Sequence, residues 1–116
     1  MKLVYIAGPY RNDDRWEEEQ NVRRAEAIAI EIAKLGAMPI CPHSNTRPYF
    51  CSVRDNQFWY DGTMALLRKC DALVTVDGWT KSIGAKREMD EARKMGIPVF
   101  VNEMDTLKNW IDGGSA

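Results

Sequence analysis

Four short apolar runs alternating with stretches of helical periodicity constrain this chain more than any other feature. The runs are Lys2-Leu3-Val4-Tyr5-Ile6-Ala7, Ala37-Met38-Pro39-Ile40-Cys41, Ala72-Leu73-Val74-Thr75-Val76 and Ile97-Pro98-Val99-Phe100-Val101. Each is too short for a helix and is flanked by Gly, Gly-Pro or Asp-Gly, so each reads as a buried strand. Pro39 removes one ladder donor and places the second strand at a sheet edge. Strands separated by helices specify a parallel sheet with helices on both faces. Right-handed crossovers then favour the strand order 2-1-3-4. The expectation is an α/β, flavodoxin- or Rossmann-like three-layer fold, one domain over residues 1–112 with a flexible tail at 113–116.

The helical stretches are legible by their stripes. From Asp14 to Leu35, Val22, Ala25, Ala29 and Ile32 share one face, and Gly36 stops the helix. A helix from about Asp55 to Lys69 is expected to turn Trp59, Leu66 and Cys70 inward. One from about Gly84 to Met95 buries Ala85, Met89 and Ala92 and ends at Gly96. A short helix carries Leu107, Trp110 and Ile111. Pro42 to Arg54 reads as a long irregular polar loop, and loops of that length are often functional.

Charge and cysteine usage narrow the partners. A net charge of −1 lacks the basic excess of nucleic-acid-binding domains, so no polymeric nucleic acid is expected. No apolar run nears the roughly 20 residues of a membrane helix, and no signal peptide opens the chain. Neither a membrane partner nor export is therefore expected. Cys41, Cys51 and Cys70 are odd in number and lack C-x-x-C spacing, which suits reduced thiols in a cytoplasmic protein.

Topology also aims the ligand. In open parallel sheets, ligands bind outside the carboxyl ends of the strands where strand order reverses, here between strands one and three. The lining loops would be Gly8-Pro9-Tyr10-Arg11 and Asp77 to Gly84, with Pro42 to Thr46 nearby. Ser82 and Gly84 sit where a hydroxyl and free N–H groups bind an anion, and Ser82 equally suits an N-cap. Glu88, three residues after Ala85 and four before Ala92, lies at the edge of its helix's apolar stripe. It can lean into the crevice, where the helix N-terminus favours the charged form that a nucleophile needs. The same position suits a solvated glutamate placed for the dipole, and position alone does not separate the two. Tyr5 could hold that carboxylate or be a core aromatic with its hydroxyl satisfied by backbone. Arg11 could pair with a phosphate or be a surface loop arginine. His43, the only histidine, has no metal-ligand spacing around it and suits loop-structuring hydrogen bonds; no metal or organic cofactor is implied. Asp13 and Asp14 read as helix-start acids, and Glu17 to Glu19 as a solvated face.

Tyr5-Ile6-Ala7-Gly8-Pro9, Cys70-Asp71-Ala72-Leu73, Ser82-x-Gly84-x3-Glu88 and Gly96-Ile97-Pro98-Val99 occur in that order across nearly the whole chain. Together they resemble the nucleoside 2-deoxyribosyltransferase superfamily. Pro42-His43-x-Asn45-Thr46 and Gly78-Trp79 are similar to its phage-type and bacterial members. The resemblance implies that Glu88 is a nucleophile attacking an anomeric carbon and that Tyr5 contacts its carboxylate. Transferases place an aspartate six residues before the nucleophile. This chain has Ser82 there, as the related 2′-deoxynucleoside 5′-monophosphate N-hydrolases do for phosphate. Those hydrolases also carry an arginine three residues after the first-loop glycine, which falls on Arg11. The aspartate that serves the leaving base falls on Thr63, so Asp61, two positions away, or Asp77 is left to supply the proton.

The implied catalytic set is Glu88, Tyr5 and Asp61, with Gly8, Pro9, Arg11, His43, Asn45, Asp77, Ser82 and Gly84 binding substrate. The implied activity is cleavage or transfer at the N-glycosidic bond of a (deoxy)nucleoside or its 5′-monophosphate. The implied assembly is a homodimer or higher homo-oligomer in which a neighbour completes the site, with Trp59, Tyr60, Trp79 and Trp110 as possible interface surface. A nucleotide-sensing module without turnover is the alternative, motivated by Thr63. A phosphoacceptor receiver fits the sheet and Asp77 but lacks an acidic pair after strand one, where Gly8-Pro9 sits.

Overall fold

The computed structural model describes residues 1–46 and 55–113. Its elements are β1 (Leu3–Ala7), α1 (Arg15–Lys34), β2 (Met38–Ile40), α2 (Pro42–Thr46), α3 (Asn56–Leu67), β3 (Ala72–Thr75), α4 (Ile83–Lys94), β4 (Val99–Phe100) and α5 (Met104–Ile111). A single turn of 3₁₀ helix, Trp79–Lys81, precedes α4. The four strands form one parallel sheet in the order β2-β1-β3-β4, as the alternation of elements predicts. Pro39 lies in the edge strand opposite Val4, where its missing N–H leaves no gap in the sheet interior.

Successive residues of β1 face opposite layers, and this parity organises the core. Val4 and Ile6 join Ala72 and Val74 against Ala25 and Ile32 of α1 and Leu107 of α5. Tyr5 and Ala7 join Leu73 against Met64 and Leu67 of α3 and Ala85, Met89 and Ala92 of α4. Tyr5 is thereby committed to the α4 layer, and a slip of one residue would send it to the α1 layer.

Each long helix is fixed at its start by a side chain. Asp14 accepts from Trp16 N at 2.9 Å, Asp55 from Phe58 N at 3.0 Å and Ser82 from Ala85 N at 3.1 Å. Gly36 and Gly96 end α1 and α4 with φ of +91° and +74°, a conformation that costs other residues.

Three expectations need correction. The region from Pro42 is not irregular throughout: Pro42–Thr46 forms α2, and the remaining 47–54, with Cys51, lies outside the described residues. Cys70 is buried as expected; in α3 the fully buried residues are Met64 and Leu67, while Leu66, packed on the core, and Trp59, turned to a crevice, are only half-buried. The fourth strand is shorter than expected, Val99–Phe100, since only Leu73 and Val74 pair with it. Trp59, Trp79 and Trp110 are half-buried, and Trp110 packs on Phe100 beneath the Lys2 ammonium. Large exposed apolar side chains include Trp16, Ile30, Met38 and Ile83. The residues of the tail beyond Gly113 also lie outside the described set. Among the described residues no helix is long and apolar enough to cross a membrane.

Candidate active site

The carboxyl ends of β1 and β3 open into a crevice of about 430 Å³. One wall is the turn Gly8-Pro9-Tyr10-Arg11 with Pro42 and His43; another is Lys81 to Ala85 with Glu88. The third wall is α3, through Asn56, Trp59, Tyr60 and Thr63. These four stand at i, i+3, i+4 and i+7, one face of a helix.

Glu88 projects from the second turn of α4 and is half-buried. Its carboxylate accepts a hydrogen bond from the Tyr5 hydroxyl, reaching across 83 residues of sequence. Tyr5 has no exposed surface, so its ring packing fixes where that hydroxyl points. Burial pushes the Glu88 carboxyl from 4.5 up to about 7, opposed by the Tyr5 hydrogen bond. Burial first, then the neighbouring Glu88 charge, raise the Tyr5 phenol well above its ordinary value, with a Thr63 hydrogen bond working the other way. The phenol therefore stays protonated as a donor. The carboxyl is poised near neutrality, as expected of a group used in acid–base or nucleophilic chemistry.

Gly8 is required by packing: a Cβ there would fall 2.7 Å from Val76 Cβ. The turn leaving β1 thus lies directly on the end of β3, which brings Pro9 and Arg11 to the crevice. His43 holds the same turn from the other side. Its Nε2 lies 2.9 Å from the Pro9 carbonyl, so that nitrogen carries the proton, and burial keeps the ring neutral. Nδ1 is left as a buried acceptor with no partner among the described residues. Tyr10 meets the imidazole edge-on at 5.4 Å. Ser82 both caps α4 and lines the crevice. A Cβ on Gly84 would meet only Ser82 Oγ, at 3.9 Å, so the fold leaves open space over that backbone.

The structure thus gathers Glu88, Gly8, Pro9, Arg11, His43, Ser82 and Gly84 around one crevice, with Tyr5 beneath Glu88. Three expected site residues lie elsewhere. Asp61, two positions from Thr63, faces away from the α3 wall; it is exposed, accepts from Gln57 Nε2 at 2.7 Å and lines a shallow cleft with Asp55 and Phe58. Asp77 is exposed and opens onto a separate cleft with Arg24, Asn102 and Met104. Asn45 is exposed on α2 and does not line the crevice. Lys81 and the α3 face are walls that the strand-loop argument does not anticipate, although the i, i+3, i+4, i+7 spacing of Asn56, Trp59, Tyr60 and Thr63 is visible in the sequence. Among the described residues no three His, Cys, Asp or Glu side chains gather as metal ligands.

The parallel β2-β1-β3-β4 sheet flanked by helices is a flavodoxin-like fold, and a solved 2-deoxyribosyltransferase shares it. The 2-deoxyribosyltransferase of the psychrotolerant bacterium Bacillus psychrosaccharolyticus superposes with a TM-score of 0.64, covering 85% of this chain and 70% of that one at 22% identity. At that identity the likeness is one of fold. Residues 2–104 match the domain of unknown function DUF1937, and the chain belongs to that family. No curated protein matches it.

Proposed function

We propose that the chain breaks the N-glycosidic bond of a nucleoside or nucleoside 5′-monophosphate, with Glu88 as nucleophile. The observation that carries this reading is the Tyr5–Glu88 hydrogen bond at the floor of a crevice of about 430 Å³, a volume within the range of small-molecule sites. The Tyr5 hydroxyl fixes the carboxylate rotamer and favours its ionised form. An ionised Glu88 oxygen attacks the anomeric carbon, the C–N bond breaks with its electron pair moving to the base, and a glycosyl ester of Glu88 results. Water then attacks the same carbon, the ester oxygen leaves as carboxylate and a proton is released, which completes hydrolysis. A second base in place of water completes a transfer. Arg11, Lys81 and the Ser82–Gly84 turn supply cationic and N–H groups suited to a 5′-phosphate.

Base release from a panel of nucleosides and nucleotides, followed by chromatography, tests the proposal. Release should require Glu88 and fall to background in Glu88→Ala; release unchanged by that substitution removes Glu88 from the mechanism. Placement of Asp61 outside the crevice, with Thr63 inside it, favours a second reading, a nucleotide-binding module without turnover. Ligand-dependent thermal stabilisation with no free base would support that reading, and multiple turnover would exclude it.

A further inference from the structure

We propose that Tyr60 is the acid that protonates the leaving base, and that the Arg87 guanidinium stabilises the phenolate left behind. The assignment deepens the glycosidic reading and rests on Glu88 being the nucleophile.

A neutral purine or pyrimidine departs with an electron pair on its ring nitrogen and needs a proton, and a positioned donor contributes about 10²–10⁴-fold to such a step. The donor must flank the scissile bond together with the nucleophile. Tyr60 lines the crevice three residues before Thr63, one turn away on the same face of α3. Its half-buried ring packs on the cluster that contains Tyr5, Ala85 and Met89. Arg87, the residue before Glu88, lies over that ring with its guanidinium 5.7 Å from the centroid. That contact joins the Tyr60 ring to the turn of α4 that carries Glu88.

The Tyr60 proton is also available. Thr63 Oγ1 engages the Tyr60 backbone carbonyl at 3.0 Å, and the phenol itself has no hydrogen-bond partner among the described residues. The Tyr5 proton, in contrast, is committed to Glu88 and that of His43 to the Pro9 carbonyl. Ser82 Oγ caps α4, and an alcohol is a much weaker acid than a phenol. Lys81 belongs with the anion-binding turn, and Tyr10 stands on another wall, edge-on to His43. An ordinary phenol ionises at about pH 10, the same range as the ring N–H of a free nucleobase, so the proton passes between groups of similar affinity. Arg87 makes no ion pair among the described residues, which leaves its charge to balance the phenolate.

The chemistry balances over two steps. A Glu88 oxygen bonds to the anomeric carbon, the C–N bond breaks, its electron pair goes to the ring nitrogen, and the Tyr60 hydroxyl proton moves to the base. The phenolate then takes a proton from the water that attacks the anomeric carbon, the ester bond breaks, and its electron pair returns to the Glu88 carboxylate. One water is consumed, and Tyr60 serves as acid first and base second.

The test uses the full chain and one sugar 5-phosphate carrying leaving groups of rising acidity: hypoxanthine, 6-chloropurine and 4-nitrophenol, in ribose and 2-deoxyribose forms. Glu88→Ala gives the background. Tyr60→Phe keeps the ring under Arg87 and should lower kcat/KM at least about 100-fold for hypoxanthine, with the loss shrinking to less than about threefold for 4-nitrophenol, which departs without a proton. Tyr10→Phe should affect all three leaving groups equally. A smaller loss for hypoxanthine in Tyr60→Phe, an equal loss across the series, or a graded loss in Tyr10→Phe overturns Tyr60 as the acid, while Glu88-dependent release leaves the nucleophile reading standing. Absence of Glu88-dependent release from every substrate overturns both.

Discussion

Replacing Glu88 with Gln should stabilise the protein at alkaline pH while abolishing its proposed chemistry. The folded protein holds the Glu88 proton up to about pH 7, whereas 4.5 is the ordinary value. Between those values the folded state carries a proton that the unfolded chain has released, so stability falls by about 1.4 kcal/mol per pH unit. The contribution is fully present below pH 4.5 and lost as pH rises through about 7. Full conversion of that interval gives about 3 kcal/mol; Glu88 is half-buried, and solvent screening lowers the figure to about 1–3 kcal/mol. Glutamine resembles the protonated acid in shape and neutrality, and its Oε1 can still accept from Tyr5. The variant should match the parent near pH 4.5 and exceed it by about 1–3 kcal/mol above pH 7. Urea unfolding at a series of pH values reads this as a midpoint that diverges with pH at constant slope. Parallel midpoints across the range, or a variant less stable at pH 8, would refute the assignment of a buried, neutrality-poised carboxyl. A structural surface glutamate gives the parallel result, so the experiment separates the two readings that the sequence leaves open.

Tyr5→Phe removes the hydrogen bond that favours the Glu88 carboxylate, so the rising limb of kcat/KM against pH should move up by about one pH unit; an unmoved limb would mean that the phenol does not act through Glu88. Gly8→Ala should destabilise by about 1–3 kcal/mol in urea, because its Cβ must displace Val76. Gly84→Ala, a helical position with open space around it, should leave stability in urea unchanged or higher by up to about 1 kcal/mol and raise KM, the signature of a position reserved for ligand. Asp61→Asn should change base release less than about twofold, since the carboxylate lies outside the crevice; a loss of about 100-fold would restore it as the leaving-group acid.

The fold was legible because it rests on strong, local periodicities. Four apolar runs, Gly36 and Gly96 as stops, and the Ala85–Met89–Ala92 stripe require no knowledge of tertiary contacts, and together they leave few topologies. Boundaries were less legible where pairing decides them. Ile97 and Val101 belong to an apolar run yet fall outside β4, because β3 offers partners only to Val99 and Phe100.

The site was legible where strand parity and loop position settle it. Tyr5 occupies the β1 parity that faces α4, and Glu88 lies on the α4 edge nearest the sheet end, so their meeting follows from the topology. Asp61 and Asp77 illustrate the opposite case. Each is near the crevice in sequence, but Asp61 is two positions from Thr63 on α3, which turns it about 200° away. Asp77 follows β3 immediately, and the Val76–Gly8 contact closes the crevice at that point, leaving the aspartate on the side of Arg24 and Asn102. Angular position on α3 therefore matters more than proximity in sequence. The residues that share its inward face, Asn56, Trp59, Tyr60 and Thr63, give the crevice aromatic rings and a hydroxyl where an acid would otherwise stand.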